Sequence, residues 1–514
     1  MPVPEHYSAD LMVDRTSSES VPRQVALTVV VPVYNERYLV ARSLERLRIL
    51  ERSPELSRVE LIVVDDASTD GTANILRALQ TDLEGRASDK LSWTFVRHDR
   101  NQGKGAAIRT GLAHASGDVT IVHDADLEYD PHDIARIIHV YVETGADAVF
   151  GSRFGGGEVR RVLLFRHQIG NKLLTFLCNL VSNLNLTDTW TCYKAVRTSL
   201  LKSIPLQSND FRIEPELAIK LAKREARIFE IPISYYGRTY QEGKKINWID
   251  GLRALWAIVR FALSDRVYCE DEYGSHILAR LTRAPRFNFW IADTIRPYCG
   301  ERLLEIGSGV GNLSRMLVPR FHYVASDINP LYLQTLRNLE VNRPYLSATY
   351  CDVNDLSSFP RAPGGYDTVV CVNVLEHVDN DRAALSNIKS VLAKNGRALI
   401  LVPCGPWNFG TLDHILGHRR RYTRAEIERL AADCGLEVER VVEFNRFGAL
   451  AWYVNGKLMR RTSFGLFQIW MLNALTPLIR RIDRFLPLPP LSLIAVMRRR
   501  AGASSTGQDE EKAA

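Results

Sequence analysis

Val119-Thr-Ile-Val-His-Asp-Ala-Asp-Leu-Glu128 carries a β-branched run straight into two carboxylates one residue apart. Val119–Val122 reads as a buried strand. Asp124 and Asp126 then fall at its carboxyl end, where open α/β sheets bind their ligands. Carboxylates so spaced can share a hard divalent cation, Mg²⁺ or Mn²⁺, that completes its shell from diphosphate oxygens, with Glu128 a candidate third ligand. Asp-x-Asp is also common in solvated turns, so the pair gains its meaning from its surroundings. His123 beside it reads as structural.

Working upstream, Val25–Val33 is a second apolar strand, ending in Val31-Pro-Val-Tyr-Asn-Glu36. Arg37–Glu51 has helical spacing. Val59–Val64 reads as a strand ending in Asp65-Asp66, followed by an Ala-Ser-Thr-Asp-Gly turn, and Trp93–Val96 as another. Alternating β and α units predict a parallel sheet covered by helices. At its edge Asp66 can accept hydrogen bonds from a ribose hydroxyl or a base N–H. In Asn101-Gln-Gly-Lys-Gly105 the glycines permit close backbone approach, and Lys104 adds charge near a phosphate.

A second βα series opens with Leu303-Leu-Glu-Ile-Gly-Ser-Gly-Val-Gly-Asn312 after a helical lead-in, Phe289–Tyr298. Strands are expected at Leu303–Ile306, Tyr323–Ser326, Thr368–Val372, Ala398–Val402 and Leu491–Val496. A Gly-rich turn after a strand is weak evidence alone. Here Gly307, Gly309 and Gly311 are spaced G-x-G-x-G, with Glu305 two residues before the first. A carboxylate there disfavours a pyrophosphate and suits a cationic ligand, which points away from NAD and towards S-adenosylmethionine. Asp327 is placed to accept from both ribose hydroxyls, Asp352 from the adenine amino group, and Asn373 sits in the loop after the fourth strand.

Length and composition agree with two enzyme-sized domains. The 514 residues exceed the roughly 250–300 at which single cores stop growing. Hydrophobic residues at 46% and charged residues at 24% are an ordinary globular mix, which excludes a wholly disordered chain. A net charge of +7 fits anionic small ligands or a membrane surface, and no nucleic-acid partner is expected. The eight cysteines include no C-x-x-C pair, so reduced thiols in a cytoplasmic protein are expected. No apolar leader is read in the first twenty residues. Expected bounds are a disordered arm at 1–24, a first domain at 25–265, a linker at 266–284, a second domain at 285–500 and a disordered tail at 501–514.

The first half resembles the family 2 glycosyltransferases of GT-A fold, and among them the dolichyl- and polyprenyl-phosphate sugar synthases. The resemblance covers roughly residues 25–260. It rests on the motifs above, on Gly151-Ser-Arg-Phe154 and Phe211-Arg-Ile-Glu-Pro-Glu216, and on Ile231-Pro-x-x-Tyr-x-x-Arg238. It implies that Pro32, Tyr34, Glu36 and Asp66 line a nucleotide pocket and that Asp124 and Asp126 hold the metal. By the same resemblance Arg153 meets an acceptor phosphate and Arg238 the donor diphosphate. One departure is Arg238-Thr-Tyr-Gln-Glu-Gly-Lys-Lys245, which puts Lys245 where the synthases usually carry Ser. A phosphate acceptor needs no strong base; a sugar hydroxyl does, and Glu214 and Glu216 are then the candidates.

The second half resembles the class I S-adenosylmethionine-dependent methyltransferases over about residues 285–500, which implies a Rossmann-like fold. His377 is a candidate base in a position more often structural. In Asp413-His-x-x-x-His418-Arg-Arg-Arg421, His414 and His418 would share a helical face. With no third ligand in view, the run reads as a substrate-facing basic lid or a solvated charge run rather than a metal site. Phe464–Ile479 reads as cover for the sheet edge or as an amphipathic helix on a membrane, with packing favoured.

The expectation is thus an α/β chain of two domains and two activities. Glycosyl transfer from a UDP- or GDP-linked sugar to a glycan or polyprenyl-phosphate lipid would need Mg²⁺ or Mn²⁺. S-adenosylmethionine would supply the methyl group, in cell-envelope polysaccharide or glycolipid synthesis. The protein is expected to be cytoplasmic, with a peripheral contact to the membrane face. The alternatives are a polyprenyl-phosphate sugar synthase joined to an unrelated methyltransferase, or one half acting only as a binding module.

Overall fold

The computed structural model describes residues 24–85, 88–156, 161, 165–238, 248–264, 266–267, 284–341, 343–461 and 465–499. Lys245, the expected tail and most of the expected arm and linker lie outside them. The chain divides near Ala262 into two compact units.

The first unit is built on seven strands: β1 (Val25–Val33), β2 (Leu56–Asp65), β3 (Leu91–Arg97), β4 (Val119–Val122), β5 (Ala148–Ser152), β6 (Lys194–Arg197) and β7 (Ile228–Pro232). Their order is β3-β2-β1-β4-β6-β5-β7. The sheet is mixed rather than wholly parallel, because β6 runs antiparallel to both β4 and β5. Leu27, Val29, Val30 and Val31 of β1 have no solvent exposure, which is why that strand is apolar but for Thr28, whose hydroxyl donates to Glu60 at 2.7 Å. Helix Lys104–His114 lies so close to β1 that a Cβ on Gly111 would sit 2.4 Å from Val30 Cγ1. This contact fixes the helix start, and with it Lys104, at the carboxyl edge of the sheet.

The second unit has β8 (Arg302–Ile306), β9 (His322–Asp327), β10 (Leu346–Tyr350), β11 (Tyr366–Val372), β12 (Leu392–Pro403), β13 (Leu436–Phe444) and β14 (Ser492–Arg499). The order is β10-β9-β8-β11-β12-β14-β13, with β14 antiparallel to both neighbours. Helix Leu466–Ile482 does two things at once. Ile469, Thr476 and Ile479 are buried, while Phe467 (70% exposed), Trp470 (64%) and Leu478 (57%) face outward. Packing and an exposed apolar face therefore coexist on one helix.

In both sheets the order reverses next to the first strand of the series: β1 lies between β2 and β4, and β8 between β9 and β11. Such switch points open a crevice at the strand carboxyl ends. These are the α/β architectures expected of a GT-A nucleotide-sugar-binding domain followed by a Rossmann-like methyltransferase domain.

Candidate active sites at two switch points

Three loops meet at the carboxyl ends of β1, β2 and β4, and each contains a non-glycine residue in the left-handed region: Asn35 (φ 55°), Ala67 (φ 58°) and Leu127 (φ 63°). Such conformations cost of order 1–3 kcal/mol and cluster where side chains must be aimed. Hydrogen bonds between the loops hold them: Asn35 N–H donates to Ser68 Oγ at 3.0 Å and Glu36 N–H to Thr72 Oγ1 at 3.0 Å.

Asp66 is spent on the neighbouring loop. Its Oδ1 accepts from Gln102 N–H (2.8 Å) and lies 2.7 Å from His98 Nδ1, and its Oδ2 accepts from Gly103 N–H (2.7 Å). Gly103 and Gly105 are required: added Cβ atoms would lie 2.3 Å from the Asn209 carbonyl oxygen and 2.2 Å from that of Ser208. The loop so packed delivers Lys104, whose Nζ reaches Asp124 at 2.9 Å and Glu214 at 3.5 Å. Arg238 collects the other acids. Its guanidinium lies 2.7 Å from Asp126, 3.1 Å from Glu128 and 3.7 Å from Glu36, and Tyr235 donates to the second oxygen of Glu128 at 2.7 Å.

Charge is therefore unbalanced. Five carboxylates (Glu36, Asp124, Asp126, Glu128 and Glu214) face three cations (Lys104, Lys194 and Arg238), the kind of excess that a divalent ion neutralises. Burial would raise the Asp124 pKa, but the Lys104 ammonium holds it below the usual carboxylate range. Burial, together with Asp124 and Glu128, pushes Asp126 up to about 7.

The remaining expected residues are distributed unevenly. Pro32 is half-buried and Tyr34 is 39% exposed at the end of β1. Glu214 comes to the site but pairs with Lys194 as well as Lys104. Glu216 is not brought there. It is fully buried, accepts from Gln207 and Ser208 N–H (both 2.7 Å) and pairs with Lys220 at 2.6 Å. Arg153 is also buried, its Nε 2.7 Å and Nη2 3.0 Å from Asp188. His123 lies between Ser43 Oγ (3.2 Å) and Tyr193 OH (2.8 Å), and burial lowers its pKa to about 4.

His98, Lys194 and Asp188 were not singled out in the sequence. For His98 the signal is register: Asp65 pairs with Arg97 across β2 and β3, so the next residue of each strand, Asp66 and His98, are neighbours.

In the second unit Gly307 (φ 72°), Gly309 (φ 56°) and Gly311 (φ 81°) are all left-handed. A Cβ on Gly307 would lie 2.3 Å from Val374 Cγ2, so the turn touches the loop after β11. Asp327 ties β9 to this turn: Oδ2 accepts from Gly309 N–H at 2.8 Å and Oδ1 from Asn329 N–H at 2.9 Å. Glu305 is buried, and its Oε2 accepts from Tyr323 OH (2.7 Å) and Ser314 Oγ (2.5 Å). Asp352 Oδ1 accepts from Asn354 N–H, and Asn373 is exposed with φ 54°.

The Asp413–Tyr422 segment differs from expectation. Its helix ends at Ile415 and Gly417 is left-handed (φ 74°), so His414 and His418 do not share a helical face. The three arginines are committed: Arg419 to Asp379, Arg420 to Asp381 and Arg421 to Asp413. This is a cross-braced loop rather than an uncommitted basic lid.

Two transferase-type crevices, one lined by carboxylates and cations and one by a triple-glycine turn, define a chain with two catalytic domains. Residues 28–204 match the model of Glycosyl transferase family 2, and residues 273–441 match that of a Methyltransferase domain. The chain is a transferase with a family 2 glycosyltransferase domain followed by a methyltransferase domain, and the latter implies S-adenosylmethionine as its methyl donor. The chain is 25% identical over 241 residues to UDP-N-acetylglucosamine–dolichyl-phosphate N-acetylglucosaminyltransferase of Methanococcus voltae, covering 45% of this chain and 94% of that protein. It is 27% identical over 220 residues to dolichol-phosphate mannosyltransferase of Pyrococcus furiosus, covering 42% and 58%. Among solved structures it is similar to glucosyl-3-phosphoglycerate synthase from Mycobacterium tuberculosis, solved with Mn²⁺, UDP and phosphoglyceric acid (19% identity, 46% of this chain, 78% of that chain, TM-score 0.34).

Proposed function

We propose that the first unit transfers a sugar from a UDP- or GDP-linked donor to a polyprenyl phosphate, with Mg²⁺ or Mn²⁺ held by Asp124 and Asp126. We propose further that the second unit methylates a product of the same cell-envelope glycolipid or polysaccharide pathway. One observation carries the choice of acceptor. Neither carboxylate expected as a base is available, because Glu214 is engaged by Lys194 and Lys104, and Glu216 lies away from the site, held by Lys220 and two backbone N–H groups. That arrangement favours an acceptor whose oxygen is already an anion. The names of the relatives, which act with dolichyl phosphate, support the same acceptor class.

In this reading an acceptor phosphate oxygen bonds to the anomeric carbon as the bond from that carbon to the donor diphosphate breaks. Asp124 and Asp126 would hold the divalent ion, which when bound would supply positive charge to offset that developing on the leaving nucleoside diphosphate, typically worth several kcal/mol. Arg238 and Lys104 orient the acidic groups and add positive charge at the diphosphate. In the second unit Glu305, Gly307, Gly309, Gly311, Asp327, Asp352 and Asn373 form the proposed S-adenosylmethionine site, where positioning supplies most of the rate.

Contact with a lipid surface is supported by apolar side chains exposed on helices Phe165–Ser182 and Trp248–Leu263, among them Phe165 (74%), Phe176 (60%) and Trp256 (52%). Among the described residues no helix is long and apolar enough to cross a membrane. The test is transfer of labelled sugar from UDP- and GDP-sugars to a short polyprenyl phosphate with Mn²⁺. A solvent-extractable product that chelator abolishes is expected. Transfer to a sugar hydroxyl but none to the lipid phosphate would overturn the acceptor assignment.

A further inference from the structure

Glu376, His377 and His418 bring three potential ligand atoms within 4.8 Å of one another. The first two lie in the turn after β11, at the ligand-binding edge of the second sheet, and His418 directly follows the left-handed Gly417. His418 Nδ1 is 2.9 Å from Asp413 Oδ1. Asp413 also accepts from Arg421 Nε (2.8 Å) and Trp452 Nε1 (3.1 Å), so it acts as an acceptor and the imidazole donates through Nδ1. In the neutral ring this leaves an unprotonated Nε2, which lies 3.9 Å from Glu376 Oε1. That separation is too long for a hydrogen bond.

His377 is fixed in the same way: its Nδ1 lies 3.3 Å from the Gly417 carbonyl, which can only accept, so Nε2 is that ring's bare nitrogen. Glu376 is fully buried, and neither of its carboxylate oxygens meets a hydrogen-bond donor among the described residues. The neighbouring cation, Arg421, is turned to Asp413 and to the Cys404 carbonyl. A buried carboxylate left without donors is costly, and here it lies 3.9 Å from the acceptor nitrogen of His418. Two imidazoles, each oriented by an outer carboxylate or carbonyl, beside one carboxylate is a ligand arrangement found around first-row metals.

We propose that Glu376, His377 and His418 bind one divalent first-row transition-metal ion of the Zn²⁺ or Co²⁺ kind, with Asp413 and the Gly417 carbonyl orienting the two rings. Three protein ligands leave coordination for water or for an oxygen of the methyl acceptor. That last role rests on the methyl-transfer reading; the metal site does not.

The full-length chain, stripped with chelator, is titrated with Co²⁺ in excess Mg²⁺, which occupies the all-oxygen site of Asp124 and Asp126, while the visible absorption of an imidazole-bound ion is followed. The expected result is saturation at about one equivalent per chain. Glu376→Gln and His418→Gln should each weaken it at least tenfold, and Asp413→Asn should weaken it by roughly 10–100-fold by releasing the His418 ring. His139→Gln, which removes an exposed imidazole of the first unit, should leave it unchanged. Near-UV circular dichroism checks folding, and His377→Gln substitutes for any variant that fails that check. Absence of a saturable signal, or equal signals in wild type, Glu376→Gln and His418→Gln, would overturn the site and leave a proton as the group Glu376 holds.

Discussion

Gly307 can be replaced by no other residue without a collision: its φ is 72°, and a Cβ would press on Val374 Cγ2 at 2.3 Å. Gly307→Ala should therefore cost about 1–3 kcal/mol in strain and repacking and weaken S-adenosylhomocysteine binding, both measurable by thermal shift with and without that ligand. Glu305 supplies a pH test. Burial raises its pKa above the ordinary 4.5 despite hydrogen bonds from Ser314 and Tyr323. As pH rises past 4.5 the unfolded chain ionises this group while the folded chain keeps its proton, so stability falls across that window. Glu305→Gln should remove that part of the slope, and its urea midpoint relative to wild type should improve as pH rises. A constant offset between the two at all pH values would contradict the assignment. At this scale the sequence was partly legible. Asp124, Asp126 and the glycines lie in short motifs with a stated chemistry. Glu376 did not show itself as a partner of His418, because 42 residues separate them and only the strand-end turn and the Gly417 kink bring them together.

Among the elements, the segment around Gln207–Asn209 links a buried acid to the loop that carries Lys104. Glu216, itself paired with Lys220, holds residues 207 and 208; Ser208 packs on Gly105 and Asn209 on Gly103, and these glycines flank Lys104, which reaches Asp124. Glu216→Gln leaves Lys220 buried without its counter-charge, so a loss of about 3–5 kcal/mol in urea denaturation is expected, with weaker donor binding. Glu216→Gln combined with Lys220→Met should recover most of the stability; no recovery would mean the ion pair is not the cause. Strands β1, β4, β8 and β11 were readable because they are buried along most of their length and are rich in apolar, largely β-branched residues. β6, Lys-Ala-Val-Arg, has four residues with a charge at each end. β13, Leu-Glu-Val-Glu-Arg-Val-Val-Glu-Phe, carries charges on its exposed positions. Neither announces itself without its partners. For the same reason the first sheet was expected to be parallel: the antiparallel strand is the short charged one.

For the molecule as a whole, each unit has its own sheet, core and switch-point crevice. A ligand at about 100 times its Kd should stabilise the unit that binds it by ~2.7 kcal/mol. Nucleotide sugar with Mn²⁺ and S-adenosylhomocysteine should therefore produce separate thermal shifts. The most direct measurement of two independent chemistries in one chain assays both on the same purified protein: sugar transfer to polyprenyl phosphate, and turnover of S-adenosylmethionine in the presence of the glycosylated product. Asp124→Asn should abolish the first and spare the second when product is supplied, and Asp327→Ala should do the reverse. If either substitution left its own reaction at full rate, or if each silenced both, the account of two separate catalytic centres would be contradicted.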